Sequence, residues 1–476
     1  MRWKMKFMLC LVTCLGLWTG LWAVTRPAGS ETETDLVIHE WGTFTSLQDP
    51  DGRTVRGINN DDEPVPDFVH QHPPGLLQQG NQAFPLLGKA IPIAHRDVAM
   101  RMETPVMYFH PGPDAKPFAM DVRVDFKGGW LTEFYPKAEA VAPGVRQVPY
   151  PDNPGKTYTQ VGRIQSNITG TLEWKNLTIG RAGDFPKTDE PVWLAPRRVT
   201  SAPVLAANGE SEQYLFYRGV GNLPSPIQVL RDRETERLQL KRRESVEIKT
   251  LWLVDVRPDG KIAFRRLPEG AIETAGRFDA SDYRRSHMKA LRRNMHAALV
   301  DDGLYKDEAW AMLNTWQAAY FQSPGLRLFY LLPQSWTDRV LPLTLSRKAR
   351  VSRTMVGRIE LVSGKQESRI RQIAQTPKHS PITWVFQALA EKFPNETERS
   401  EAFKALMTRQ KTPEQLGLEL PADYGLYRSL GRFRDAMVLH YAQKAGYENL
   451  NKFTALQQIR YFVTPPEKKP GPVAEK

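Results

Sequence analysis

Histidines and acids crowd one stretch of this 476-residue chain: His39, His70, His72, His95 and His110, with Glu40, Asp61, Asp62, Glu63, Asp97 and Glu103 between them. Imidazole nitrogen and carboxylate oxygen together form the donor set of zinc, copper, nickel and iron sites. The closest pair is His70 and His72, in Phe68-Val-His-Gln-His72. On a strand, residues i and i+2 share a face, so both rings can bind one divalent transition metal, zinc for example. A catalytic ion needs a third ligand and an open position. His39, His95, His110, Glu40 or Glu103 can supply that ligand, and the expected metal set is His70, His72, His39 and His110. The fuller signatures are absent: Pro73-Pro74-Gly75 follows His72, and His39-Glu40 runs into Trp41-Gly42 rather than H-E-x-x-H. The competing reading makes His70 and His72 polar loop residues beside a proline turn.

A second chemistry rests on the acids. Alternation along Val37 to Phe44 puts Val37, His39, Trp41 and Thr43 on one face and Ile38, Glu40 and Phe44 on the other. Glu40 is then a carboxylate on an apolar face, which requires a partner or a raised pKa. Glu103, in Arg101-Met-Glu-Thr-Pro105, poses the same question. Two neighbouring carboxylates can do general acid–base work, on a glycosidic bond for instance, which makes Glu40 and Glu103 the catalytic candidates. The alternative is a pair of strand-end salt bridges to Arg96 or Arg101.

These residues must be positioned by strands. From residue 31 to about 270, short β-prone runs alternate with Pro, Gly and Asp clusters: 35–45, 105–110, 119–126, 130–135, 170–179, 213–217, 246–256 and 261–267. Asp259-Gly260 between the last two is a hairpin signal. The spacing predicts an antiparallel, sandwich-like β domain over 31–270. Residues 271–365 read as an α+β section. Its amphipathic helices are 281–299 and 306–321, the latter with Ala309, Leu313, Trp316 and Tyr320 on one face. Its strands are 326–332 and 351–361. This section either adds sheet to the β domain or packs against it. Residues 379–463 read as a helical domain and 464–476 as a disordered tail. The fold class is therefore α+β.

The N-terminus sets location. Arg2, Lys4 and Lys6 precede an apolar run from Phe7 to Val24 and then the breaker-rich TRPAGS. This is an export signal over 1–30, or an uncleaved anchor over residues 7–24. Cys10 and Cys14 both lie inside it. The exported chain thus has no disulfide, and thiol catalysis, iron–sulfur clusters and Cys-ligated zinc are excluded from it. Four of the formal +12 charges (Arg2, Lys4, Lys6, Arg26) belong to this acid-free segment, leaving +8. So mild an excess does not point to nucleic acid, and the densest basic stretch, 283–296, reads as a solvated helix face. Walker A, dinucleotide and G-x-S-x-G motifs are absent.

HEWGTFTS (39–46) close behind an export signal, followed by RMETPVMYF (101–109), LTEFYP (131–136), YRGVG (217–221) and LFYLLP (328–333), resembles a group of uncharacterised exported bacterial proteins. The resemblance runs from His39 to about Leu361. It implies an exported bacterial protein and carries over no catalytic residue. The expectation is an extracytoplasmic protein, in the periplasm, in the envelope or secreted, that touches a membrane only through its N-terminal segment. Its first functional reading is binding of an envelope glycan or a protein partner through aromatic-rich β surfaces. The alternative is a metal-dependent hydrolase built on residues 39–110, with Glu40 or Glu103 as general base.

Overall fold

The β-branched and aromatic run VIHEWGTFTSLQ forms a strand, β1 (Val37–Gln48), buried at every position from Ile38 onward. The computed structural model describes residues 36–61, 65–74, 76–79, 93–248, 250–267, 276–375, 381–407, 410–419, 421–457 and 459–462. The expected export signal at 1–30, Asp62, Glu63 and the expected tail at 464–476 lie outside these. In the described residues β1 sits inside a nine-stranded sheet. Its other strands are β2 (His70–Gln71), β3 (Met100–His110), β4 (Gly129–Tyr135), β5 (Leu215–Gly221), β6 (Leu251–Val256), β7 (Ile262–Leu267), β8 (Gly325–Leu332) and β9 (Arg350–Leu361), in the spatial order β7-β6-β8-β9-β1-β3-β5-β4-β2. β1 runs parallel to β9, from Val37 opposite Arg350 to Gln48 opposite Leu361, and antiparallel to β3. The remaining pairs in this sheet are antiparallel. Residues 271–365 therefore complete the main sheet through β8 and β9, and the protein is a mixed α+β fold with a helical C-terminal region.

Each face of the sheet is covered by something different. Ile38, Phe44, Met102, Phe109, Tyr217 and Met355 pack on a second sheet built around the Phe118–Lys127 and Thr169–Ile179 strands, through Val122, Val124, Leu172 and Trp174. Trp41, Tyr108, Phe216, Trp252 and Phe329 pack under α1 (Pro191–Arg197), α2 (His287–Asp301) and α3 (Lys306–Thr315). A third core joins Leu47, Trp130 and Val220 to Val385, Tyr427, Phe433 and Phe453 of the C-terminal helices. Burying each large apolar side chain contributes about 1.5–3 kcal/mol, so these three cores carry most of the driving force. No helix among the described residues is long and apolar enough to cross a membrane.

Two tight approaches align the centre of the sheet. The register between β1 and β3 shifts between Trp41 and Thr43. There Gly42 lets Pro105 of β3 and the Met355 sulfur of β9 close in to 3.0–3.2 Å of where a Cβ would stand. On β9, Gly357 lies opposite Tyr330 of β8, whose ring occupies the space above it, and the Tyr330 hydroxyl meets Ser225 Oγ at 2.9 Å. A methyl group at 357 would fall inside that buried ring. Gly357→Ala should therefore destabilise the fold by about 1–3 kcal/mol, the range for overpacking. Gly425→Ala, on an open helix surface, should be neutral or stabilising by up to about 1 kcal/mol. Urea midpoints of the two variants check both directions.

Candidate metal centre

His39 and His110 come from adjacent strands. In the β1–β3 register His39 faces Tyr108 and Val37 faces His110, so both imidazoles lie on the face that α3 covers. Their ring centroids are 5.2 Å apart. Above them α3 begins: Tyr305 is extended at the N-cap, and Glu308 is the third helical residue. Glu308 Oε2 reaches back to accept the Tyr305 backbone N–H at 2.7 Å, as in a capping box. The same oxygen meets His39 Nδ1 at 2.7 Å, and Oε1 meets His110 Nε2 at 2.8 Å. Asp307 beside it accepts the Thr200 backbone N–H at 3.1 Å, tying α3 to the chain that follows α1.

Glu308 is fully buried and His39 nearly so, whereas the His110 side chain is 12 % exposed. The Tyr305 ring, 46 % exposed, lies 4.5 Å from His39 and 4.8 Å from His110 and forms the cover toward solvent. Burial pushes the Glu308 carboxyl up. The hydrogen bonds from His110 and His39, the His39 charge and the Tyr305 N–H outweigh it and hold the group below the usual range. The charged carboxylate is the form that binds a cation.

Two imidazole nitrogens and one carboxylate oxygen within 4.8 Å of one another match the three-protein-ligand pattern of catalytic zinc and the 2-His-1-carboxylate pattern of non-haem iron. To accept a tetrahedral ion with bonds of roughly 2.0–2.1 Å, each of the two nitrogens must give up the proton it donates to Glu308, and the two hydrogen bonds must open by roughly half an ångström. The partly exposed edge at His110 and Tyr305 leaves a side for a further ligand.

His70 and His72 are placed elsewhere. β2 is only two residues long and ends before His72, because Pro73 and Pro74 have no N–H with which to continue the ladder. His70 Nε2 instead meets the Glu210 carboxylate at 2.9 and 3.1 Å, and its ring stacks on Phe134 and Tyr135. The His72 backbone N–H bonds Thr132 O at 2.7 Å, and burial lowers the pKa of its ring. Among the described residues neither joins a three-ligand cluster. His95 is buried with both ring nitrogens engaged, Nε2 to Gly162 O at 3.0 Å and Nδ1 to the Asp97 N–H at 3.3 Å.

Glu40 projects into the opposite core from His39. The Tyr217 hydroxyl and Arg353 Nε both donate to it, and burial pushes its carboxyl up against the pull of Arg353. Arg353 is itself anchored on Asp338 at 3.0 Å and on Leu341 O at 2.6 Å. Glu103 is equally buried. Thr45 Oγ1 donates to it at 2.7 Å, Arg432 Nη2 also donates, and Arg101 Nη1 stands 3.5 Å away. The two carboxylates are thus each locked in a cation network of their own, Glu40 with Arg353 and Glu103 with Arg432 and Arg101.

Glu308 and Tyr305 are the site residues that sequence reasoning missed. The available signal was an acid in the first turn of α3 on its buried side, one residue before Ala309 and four before Met312.

No protein-family model matches the sequence, and no curated protein sequence matches it. Among solved structures, the chain is similar at 8% identity to the Fcho1 Mu homology domain of Danio rerio with bound Eps15 peptide. The match covers 69% of this chain and 95% of that one, with a TM-score of 0.24. That likeness is too low to inform the fold or the site.

The buried acids make stability depend on pH. Burial opposes ionisation of Glu103, but the charges of Arg432, Arg101 and Arg358 and the Thr45 hydrogen bond hold its folded pKa well below normal. Its contribution is complete above the unfolded value of about 4.3 and is lost as pH falls further, when the unfolded chain takes up a proton that the fold excludes. Asp49 and Asp97 shift in the same direction. Urea midpoints measured from pH 7 down to 3 should fall below about pH 4.3, and Glu103→Gln should reduce that slope by about one proton.

Proposed function

We propose that this is an exported, extracytoplasmic metalloprotein whose His39, His110 and Glu308 hold one divalent transition-metal ion, zinc first among the candidates. The observation that carries the reading is the convergence of those three ligand atoms within 4.8 Å on two paired strands and one helix. The mixed nitrogen and oxygen donors suit zinc or iron over calcium or magnesium, which prefer oxygen alone. The positions are also pre-organised. The strand ladder sets the two imidazoles, and the Tyr305 N–H orients the carboxylate.

Hydrolysis is the activity this arrangement serves best. An ion held there supplies Lewis-acid polarisation of a carbonyl or phosphoryl oxygen. Around it the chain contributes a charged Glu308 in a water-poor setting and an exposed aromatic, Tyr305, against which a substrate can lie. Glu40 and Glu103 take no part in this version, because their cation networks occupy them, Glu40 in the opposite core and Glu103 with Arg432 from the C-terminal region.

Elemental analysis of the purified protein, made without a histidine tag, tests the reading. About one equivalent of zinc or iron is expected. It should be lost in His110→Ala and in Glu308→Ala and retained in the His70→Ala, His72→Ala double variant, with circular dichroism confirming that each is folded. Protein that takes up no stoichiometric ion after incubation with zinc, or that loses it only in the His70/His72 variant, contradicts the proposal.

A further inference from the structure

A concave site lies at the other end of β1. It is a cleft of about 710 Å³ where the end of the main sheet meets the C-terminal helices, and Leu47 lines it. Leu47 is eight residue steps along the strand from His39, roughly 26 Å at 3.3 Å per step, so this cleft is distinct from the metal centre. Its volume falls within the range of small-ligand pockets, roughly 300–1,000 Å³.

Its lining is dominated by cations. Arg257, Arg358, Lys365, Arg369 and Arg432 line it, against Glu236, Asp255 and Glu360. The acids are already matched: Arg231 binds Glu236, the Tyr283 hydroxyl donates to Asp255 at 2.6 Å, and Arg358 binds Glu360. Three of the cations are not bound by a carboxylate. The Arg257 guanidinium carbon stands over the Tyr283 ring, 3.4 Å from its centroid, Arg369 Nη1 donates to Ser429 O at 2.6 Å, and Lys365 is exposed at the rim. Among the described residues none of these three forms an ion pair.

Two further features reinforce the positive potential. The twelve-residue helix Gly364–Gln375 starts in this wall, and Ser363, Lys365 and Gln366 of its first turn line the cleft. Its N-terminal dipole adds to the field. Arg358 is 1% exposed, and its Nη1 makes no hydrogen bond; Glu103 stands 4.0 Å from it. A guanidinium buried beside a cleft is stabilised by an anion in that cleft.

We infer that this cleft binds a small anion through carboxylate or phosphate groups, with Arg257, Lys365 and Arg369 as its contacts. Planar guanidinium forks suit either oxyanion. Isothermal titration of the whole protein with digalacturonate and with inorganic pyrophosphate tests this, with cellobiose as the neutral control. One anion should bind saturably at one site, and which one binds distinguishes a carboxylate from a phosphate source. Affinity should fall by about tenfold or more in the Lys365→Ala, Arg369→Ala double variant, whose changes lie at the rim. It should also weaken with added salt and persist in His110→Ala, which keeps the result separate from the metal reading. The inference is overturned if neither anion binds, if cellobiose binds equally well, or if the double variant retains full affinity.

Discussion

The parallel pairing of β1 with β9 seals the first strand of the fold between two cores, and much of the structure follows from that. Glu40 and Arg353 are opposite one another in this pair yet 313 residues apart in the chain. With sheet on one side and helices on the other, a polar group on β1 cannot reach water. Leaving it unmatched costs about 1–3 kcal/mol, and more if it is charged. The chain meets this demand residue by residue. His39 is matched by Glu308, Glu40 by Arg353 and Tyr217, Thr43 by the Tyr320 hydroxyl and Thr45 by Glu103. Gln48 closes on the backbone at Ile227 and Val229, and Asp49, just beyond the strand, is matched by His440 and Lys444. The partners are spread over several elements, so one strand ties together its own sheet, the helical cover, the Ile227–Arg231 strand and the C-terminal helices.

Two kinds of histidine result. His39 and His110 sit on long, fully paired strands, and a helix N-terminus delivers the third donor to them. Their separation is fixed by the sheet ladder and owes little to side-chain freedom. His70 and His72 lie where a two-residue strand ends at a proline pair, each with its own partner. Three donors on rigid elements can hold an ion in defined geometry, whereas a short edge segment has no comparable support.

The legible part of the fold was the local part. Alternation along β1, the hairpin at Asp259-Gly260 and the helical face through Ala309 and Leu313 are all short-range patterns, and the structure places them on β1, on β6–β7 and on α3. Glu40 stood out as a carboxylate on an apolar face in need of a partner. Its partner, Arg353, was invisible because a parallel pairing across hundreds of residues leaves no turn signal between its strands. Arg432 on Glu103 and Glu308 between the histidines escaped for the same reason, since tertiary closure alone brings them there. The His70–His72 spacing implied a shared face only if the strand continued, and the prolines after it stop the ladder.

The account centres on three donors gathered by the sheet and α3, and X-ray absorption at the zinc edge of the zinc-loaded protein examines them most directly. The account predicts two imidazole nitrogens and carboxylate oxygen around the metal, at roughly 2.0–2.2 Å, with the imidazole signal reduced in His110→Ala. A spectrum fitted by oxygen alone, or by imidazoles that survive that substitution and vanish with His70→Ala, would contradict it.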